Sequence, residues 1–287
     1  MDIKDRFKIA TVQLNSQLGD VKTNLTRAID YIDQAVSLGA EIILFPELYL
    51  QGYCADQDLT KTSETIPGPT TDVLLGVSKK YNVYIVMGMA RKDTGYPHLV
   101  YNSSCFIGPD GMVGYYDKIH LGTFHPYREG MYFAPGNLTP IFNTRLGPMS
   151  LQICYDVFFP ELTRTYAIKG SLVNLVISAG PDAFRDSWRI MLQARAIENA
   201  FPTVYCNVVG KQKDFNFFGG SMIVSASGAV TSEAKFGEED MLVSDVDLVE
   251  AINIRRQTLL YRDRRPDLYG PLSAAIGSPP PSQITTT

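Results

Sequence analysis

The chain has 287 residues, 45% of them hydrophobic and 20% charged, with a net charge of −4. That apolar share suffices for a large core, and no basic excess points to a nucleic acid or an anionic membrane as partner. No run approaches the ~18 consecutive apolar residues of a membrane span. The opening MDIKDRFKIA carries no apolar leader core, so the expectation is a cytoplasmic protein without a signal peptide. Cys54, Cys105, Cys154 and Cys206 form no C-x-x-C pair and read as reduced thiols. His98, His120 and His125 lack the spacing of a zinc motif, so no metal site is expected.

Taken in chain order, residues 8–14 predict a strand. Residues 24–38 predict a helix, with Leu25, Ile29, Ile32 and Val36 on one face and Gly39 as its stop. EIILF at 41–45 is a buried strand closed by Pro46. A helix over 71–81 and a strand over 83–90 follow. Pro109, Asp110 and Gly111 carry the turn chemistry of a hairpin joining 103–107 to 112–117. Residues 149–154 predict a strand, 161–169 a helix, 172–178 a strand and 182–199 a long helix. A strand over 203–209, a hairpin of 221–225 with 229–234, a strand over 241–246 and a helix near 248–260 complete the pattern. Strands and helices mixed throughout, with added hairpins, indicate an α/β fold of mixed sheets covered by helices. Residues 1–277 read as a single domain, and the Pro- and Thr-rich 278–287 as a tail or an arm laid over a neighbouring subunit.

Three of these strands run into reactive groups: EIILFP into Glu47, VGYYD into Lys118 and MSLQI into Cys154. Active sites of α/β sheets gather outside the carboxyl ends of strands, so the three are expected to converge. A thiol needs a base to become a nucleophile, and Glu47 is the candidate. A nearby lysine favours the thiolate and later holds an oxyanion, with the Tyr155 backbone N–H as second donor. Glu129 is an accessory acid that orients Lys118 or steers substrate; its neighbour Arg128 also permits a plain surface ion pair. Cys54, Cys105 and Cys206 read as structural thiols, His120 and His125 as structural histidines, and Asp156 as a local turn acid. Arg264, Arg265 and Asp267 read as an ion-pair cluster. Phe158 is placed nearest the acyl group, with Tyr53 and Phe184 as further pocket residues.

Several motifs together resemble the nitrilase or carbon–nitrogen hydrolase superfamily. They are FPEL at 45–48, YDKIHL at 116–121, EGMYFAPG at 129–136, ICYDVFFPEL at 153–162, ARAIENA at 194–200 and RRPDLY at 264–269. They come in the family's order along nearly the whole chain. The resemblance implies a four-layer αββα sandwich, no cofactor, and a triad of Glu47 as general base, Lys118 as oxyanion stabiliser and Cys154 as nucleophile. It also implies a homodimer or higher homo-oligomer paired through the helix after the cysteine. Cys154-Tyr155-Asp156 looks more like the amidase and carbamoylase branches than the Cys-Trp-Glu of true nitrilases. Phe158 stands where enzymes similar to the omega-amidases carry an arginine, so a small apolar or cationic amide or N-carbamoyl compound fits better than an anionic one. A nitrilase, a non-catalytic scaffold and an acyl transferase of the same fold stay open as alternatives.

Overall fold

The computed structural model describes residues 4–273. The tail expected at 278–287 lies outside the described residues. In chain order the elements begin with β1 (Arg6–Gln13), α1 (Val21–Ser37), β2 (Ile42–Leu44), α2 (Gln57–Lys61), α3 (Pro69–Tyr81) and β3 (Tyr84–Lys92). They continue with β4 (Val100–Gly108), β5 (Gly111–Asp117), β6 (Phe142–Thr144), β7 (Gly147–Ile153), α4 (Pro160–Ile168), β8 (Val173–Ser178) and α5 (Arg185–Asn199). The last are β9 (Thr203–Asn207), β10 (Val209–Gln212), β11 (Phe215–Phe218), β12 (Met222–Val224), β13 (Val230–Glu233), β14 (Asp240–Asp247) and α6 (Leu248–Thr258).

Two six-stranded sheets result, ordered β14-β1-β2-β3-β4-β5 and β13-β12-β9-β8-β7-β6. In the first, β1, β2 and β3 pair in parallel and the outer strands antiparallel. The second repeats the scheme, with β7, β8 and β9 parallel at its centre. Parallel neighbours require crossovers, and α1, α3, α4 and α5 lie on the connections between them.

Side chains alternate across each strand, and this sorts the layers. Ile42 and Leu44 of β2 join Leu151, Ile153, Leu175 and Val204 in the core between the sheets. Ile43 of the same strand faces Ala28, Ile32 and Ala35 of α1 and Leu74 of α3. On the far side, Leu162 and Tyr166 of α4 and Trp188, Leu192 and Ala196 of α5 cover the second sheet. The architecture is the expected αββα sandwich, with helices outside and two sheets within.

Several boundaries differ from expectation, each for a local reason. The first helix starts at Val21 because Asp20 caps it, accepting the Thr23 N–H at 3.0 Å. The strand expected to include Cys154 stops at Ile153, because Cys154 turns to φ 49°. The strand expected over 203–209 divides at Val208, where the chain leaves the second sheet for the small β10–β11 hairpin. The long helix opens with a separate 3₁₀ turn at Asp182–Phe184. Arg265 and Asp267 pair as expected, at 2.6 Å, while Arg264 lies over the Tyr269 ring.

Candidate active site

Glu47 lies just past β2, where the chain runs beside β3: Phe45 donates its N–H to Val86 O at 2.8 Å, and Leu50 to Gly88 O at 3.2 Å. Only glycine fits at position 88, since a Cβ there would sit 2.2 Å from Pro46 O and 2.6 Å from Leu48 N. Leu48 itself takes a left-handed φ of 50°, a conformation uncommon outside glycine. The Glu47 side chain is fully buried. Its Oε1 accepts Lys118 Nζ and Asn102 Nδ2, each at 2.7 Å, and its Oε2 accepts the Ala179 N–H at 2.7 Å. A carboxylate offers about four lone-pair sites, so one remains on Oε2. Burial pushes the Glu47 carboxyl above its ordinary 4.5; Lys118 pulls it back and Glu129 adds to the rise.

Lys118 follows β5 and is held from both sides of its peptide, by its N–H to Asn102 O and by Gly136 N–H to its carbonyl, each at 2.8 Å. Its ammonium bridges Glu47 Oε1 at 2.7 Å and Glu129 Oε1 at 2.8 Å. Burial alone would favour the neutral amine, but the two carboxylates outweigh it and hold Lys118 well above its ordinary 10.5. The ammonium is therefore a fixed cation at neutral pH. Glu129 turns inward to Lys118, not outward to the surface pair that Arg128 permits, and only 5% of it is exposed. Tyr53 donates its hydroxyl to Glu129 Oε1 at 2.7 Å, and the Gly122 N–H donates to Oε2 at 2.9 Å.

Cys154 opens a 3₁₀ turn, Cys154–Phe158, at the end of β7. Its thiol behaves differently from expectation. Burial pushes it above its ordinary 9.0, the negative charges of Glu47 and Glu129 push the same way, and Lys118 opposes them. The lysine's charge is already shared between two carboxylates, so the resting group is a neutral thiol that must lose its proton as it reacts. Tyr155 follows directly and lines the same cavity. Asp156 serves its turn as expected, accepting the Ile153 N–H at 3.0 Å. His120 stacks on Phe159 with ring centroids 3.6 Å apart. His125 lies in the wall of an outer basin, away from the cavity that holds Cys154.

That inner cavity measures about 40 Å³, with Lys118, Glu129 and Cys154 as its reactive lining. Phe124, Tyr127, Tyr155, Phe158, Phe184 and Trp188 form its walls. Phe158 and Phe184 are thus both in the lining of the cavity that holds Cys154. Tyr53 instead lines the outer basin, of about 770 Å³. Tyr127 and Glu129 border both spaces. Tyr53 and Tyr127 each pack on Phe215, with centroids 5.9 and 5.6 Å apart, so the three rings form one aromatic cluster in the wall of the outer basin.

Sequence reasoning did not single out Asn102, Tyr127, Trp188 or the Ala179 N–H. Asn102 had a signal: Asn102, Ser103 and Ser104 are consecutive polar residues in a strand that is buried except at Tyr101, and a buried amide requires a partner. Among the described residues no cluster of three or more His, Cys, Asp or Glu side chains is arranged to hold a metal ion. No described helix is long and apolar enough to cross a membrane.

The family profile described as carbon-nitrogen hydrolase matches residues 8–256. The chain belongs to the carbon–nitrogen hydrolase family. It is 36% identical over 273 residues to a nitrilase of Pyrococcus abyssi, covering 91% of this chain and 98% of that one. It is 32% identical over 281 residues to the omega-amidase NIT2 of Homo sapiens, covering 92% and 96%. Among solved structures it resembles a mutant amidase from Nesterenkonia sp. AN1 that shows covalent addition of the acetamide moiety of fluoroacetamide at the active site cysteine. That likeness has a TM-score of 0.78 at 26% identity, over 92% of this chain and 95% of that one. The matched span contains the stretches 45–48, 116–121 and 153–162, which carry Glu47, Lys118 and Cys154.

Proposed function

We propose that the protein is a thiol hydrolase that cleaves the C–N bond of a small amide or N-carbamoyl compound and releases ammonia. The observation that carries this reading is one small aromatic cavity lined by Cys154, Lys118 and Glu129, with the buried Glu47 paired to Lys118 behind it. In the proposed first half, Cys154 passes its proton to Glu47 Oε2 as Sγ attacks the carbonyl carbon. Lys118 Nζ and the Tyr155 N–H stabilise the oxyanion. Glu47 returns the proton to the leaving nitrogen, ammonia departs and a thioester remains. Water then attacks the thioester carbon with Glu47 taking its proton, the C–Sγ bond breaks, Glu47 passes the proton to Cys154 Sγ, and the acid leaves.

The cavity supports a small, uncharged acyl or carbamoyl group, since aromatic rings form its walls and Lys118, its cation, is already paired twice. Among the described residues, the lining of this cavity offers an anionic substituent no cation besides the paired Lys118. The similarity to an amidase with a cysteine adduct favours amide hydrolysis over the nitrilase, scaffold and acyl-transferase alternatives. The reading extends to one catalytic domain over residues 1–277 in a cytoplasmic homo-oligomer. Four unpaired thiols support the compartment. The exposed Ile168, Ile190 and Ile197 on α4 and α5 support association.

The test is ammonia release over a panel of aliphatic amides, N-carbamoyl amines, N-carbamoyl amino acids, omega-amides and nitriles, with Cys154→Ala beside the wild type. Release from a small neutral amide or carbamoyl compound that vanishes in Cys154→Ala is the expected result. Release from nitriles alone, or activity unchanged in the variant, overturns the reading.

A further inference from the structure

Asp156 is fully buried two residues beyond the nucleophile. Its Oδ1 accepts the His120 N–H at 2.9 Å and pairs with His120 Nδ1 at 2.8 Å. Its Oδ2 accepts the Tyr116 hydroxyl at 2.7 Å and the Ile153 N–H at 3.0 Å. The four lone-pair sites of the carboxylate are all used. A carboxylate can only accept, so His120 Nδ1 carries the hydrogen in this pair.

The placement of these partners matters more than their number. Tyr116 and His120 lie two residues to either side of Lys118, and Ile153 lies immediately before Cys154. Tyr116 belongs to β5 in the first sheet and Ile153 to β7 in the second. One side chain therefore ties the segment bearing the ammonium to the turn bearing the thiol. That turn starts with Cys154 at φ 49°, a backbone conformation that persists only where its surroundings hold it. A separate bond, from Gln152 Nε2 to Asp156 O at 3.2 Å, fixes the turn's backbone without the carboxylate.

We propose that Asp156 is a positioning residue of the hydrolytic site, a buried clamp that sets the distance and orientation between Lys118 and Cys154. This rests on the roles given above to those two residues. Asp156 touches no substrate; it acts through them. Asparagine at this position keeps the shape but turns an NH₂ toward one of the two donor pairs, so one arm of the clamp opens. Misplacing reacting groups by about 1 Å costs on the order of 100-fold in rate.

The experiment measures kcat and KM of Asp156→Asn, Tyr116→Phe and the double variant on the best substrate of the panel, with rates normalised to folded protein by circular dichroism. The expected result for Asp156→Asn is a fall in kcat of about 100-fold with KM within about 3-fold. Tyr116→Phe removes one donor and is expected to lower kcat by a smaller factor at unchanged KM. The double variant is expected to be no slower than Asp156→Asn, because both changes act through one carboxylate. Wild-type kcat in Asp156→Asn, or multiplying losses in the double variant, overturns the clamp. If Asp156→Asn does not fold, Tyr116→Phe decides: a lowered kcat at constant KM supports the clamp, and an unchanged kcat overturns it. Cys154→Ala in the same assay separates the two levels. Its continued activity would overturn the hydrolase reading, whereas a dead Cys154→Ala beside a fully active Asp156→Asn would remove only the clamp.

Discussion

Glu47 and Ala179 follow strands of opposite sheets, and Glu47 Oε2 accepts the Ala179 N–H at 2.7 Å. With Lys118 and Asn102 filling Oε1, this bond aims the remaining lone pair of the carboxylate. Glu47→Gln keeps the size but cannot take a proton, and its NH₂ must face one of these donors. The expected outcome is a loss of about 10²–10⁴-fold in kcat and of about 1–3 kcal/mol in stability. Steady-state kinetics and urea unfolding check the two effects separately.

The same carboxylate sets the pH dependence. Its folded value is raised above the ordinary 4.5, with burial as the chief cause. The proposed mechanism needs the deprotonated form, so kcat/KM is expected to rise with pH along a limb centred above 4.5. Stability follows the opposite sign: the folded state holds the proton longer than the unfolded one, so Glu47 withdraws stability as pH climbs from 4.5 through its folded value. Lys118, raised above 10.5, contributes stability that is fully present below 10.5 and is lost as pH rises through its folded value. A kcat/KM profile flat down to pH 4 would contradict Glu47 as the base.

Lys118 neutralises two buried acids at once. Lys118→Met is expected to cost about 3–5 kcal/mol, because Glu47 and Glu129 are left facing each other without their cation. Adding Glu129→Gln removes one of those charges and is expected to restore part of the stability without restoring turnover. Thermal melts of the single and double variants, with kinetics alongside, read both effects. A double variant less stable than Lys118→Met would contradict the charge argument.

Gly88 lies too close to the Glu47 backbone for any side chain. Its neighbours are main-chain atoms, which cannot rotate away. Gly88→Ala is expected to destabilise by about 1–3 kcal/mol and to lower kcat through displacement of Glu47. Wild-type kcat and stability in this variant would contradict the close approach.

Phe184 lines the inner cavity and packs beside the main core. Phe184→Ala enlarges the acyl space. The ratio of kcat/KM for a branched amide to that for acetamide is expected to rise by about 10-fold, the scale of discrimination by a few methylenes in an apolar pocket. An unchanged ratio would place the acyl group elsewhere.

Much of the fold was legible because its central strands are buried on both faces. EIILF at 41–45 and VYIVMGMA at 83–90 read as strands for that reason. Glu47 and Cys154 were legible because each closes such a run, and Lys118 because it follows the half-exposed edge strand β5. The β10–β11 hairpin was not, since a polar tip at Lys213 and Asp214 interrupts its alternation. β6 is three residues long and α2 is mostly polar, too little for periodicity to register. The cavity walls were legible only in part. Tyr127 comes from the loop after β5 and Trp188 from α5, and only packing brings them to the Cys154 turn. The protonation of the resting thiol was hidden as well, because it depends first on burial and then on the opposing charges of Glu47, Lys118 and Glu129.

The distribution of the reactive groups over two sheets has a consequence for folding. Glu47 and Lys118 come from the first sheet, Cys154 and the Ala179 N–H from the second. Neither half alone contains the proposed centre. A molten, compact state with both sheets hydrogen-bonded but not yet locked together would keep its far-ultraviolet signature and be inert. Turnover in this protein is thus a late reporter: it appears only when the last step of assembly, the closure of one half upon the other, is complete.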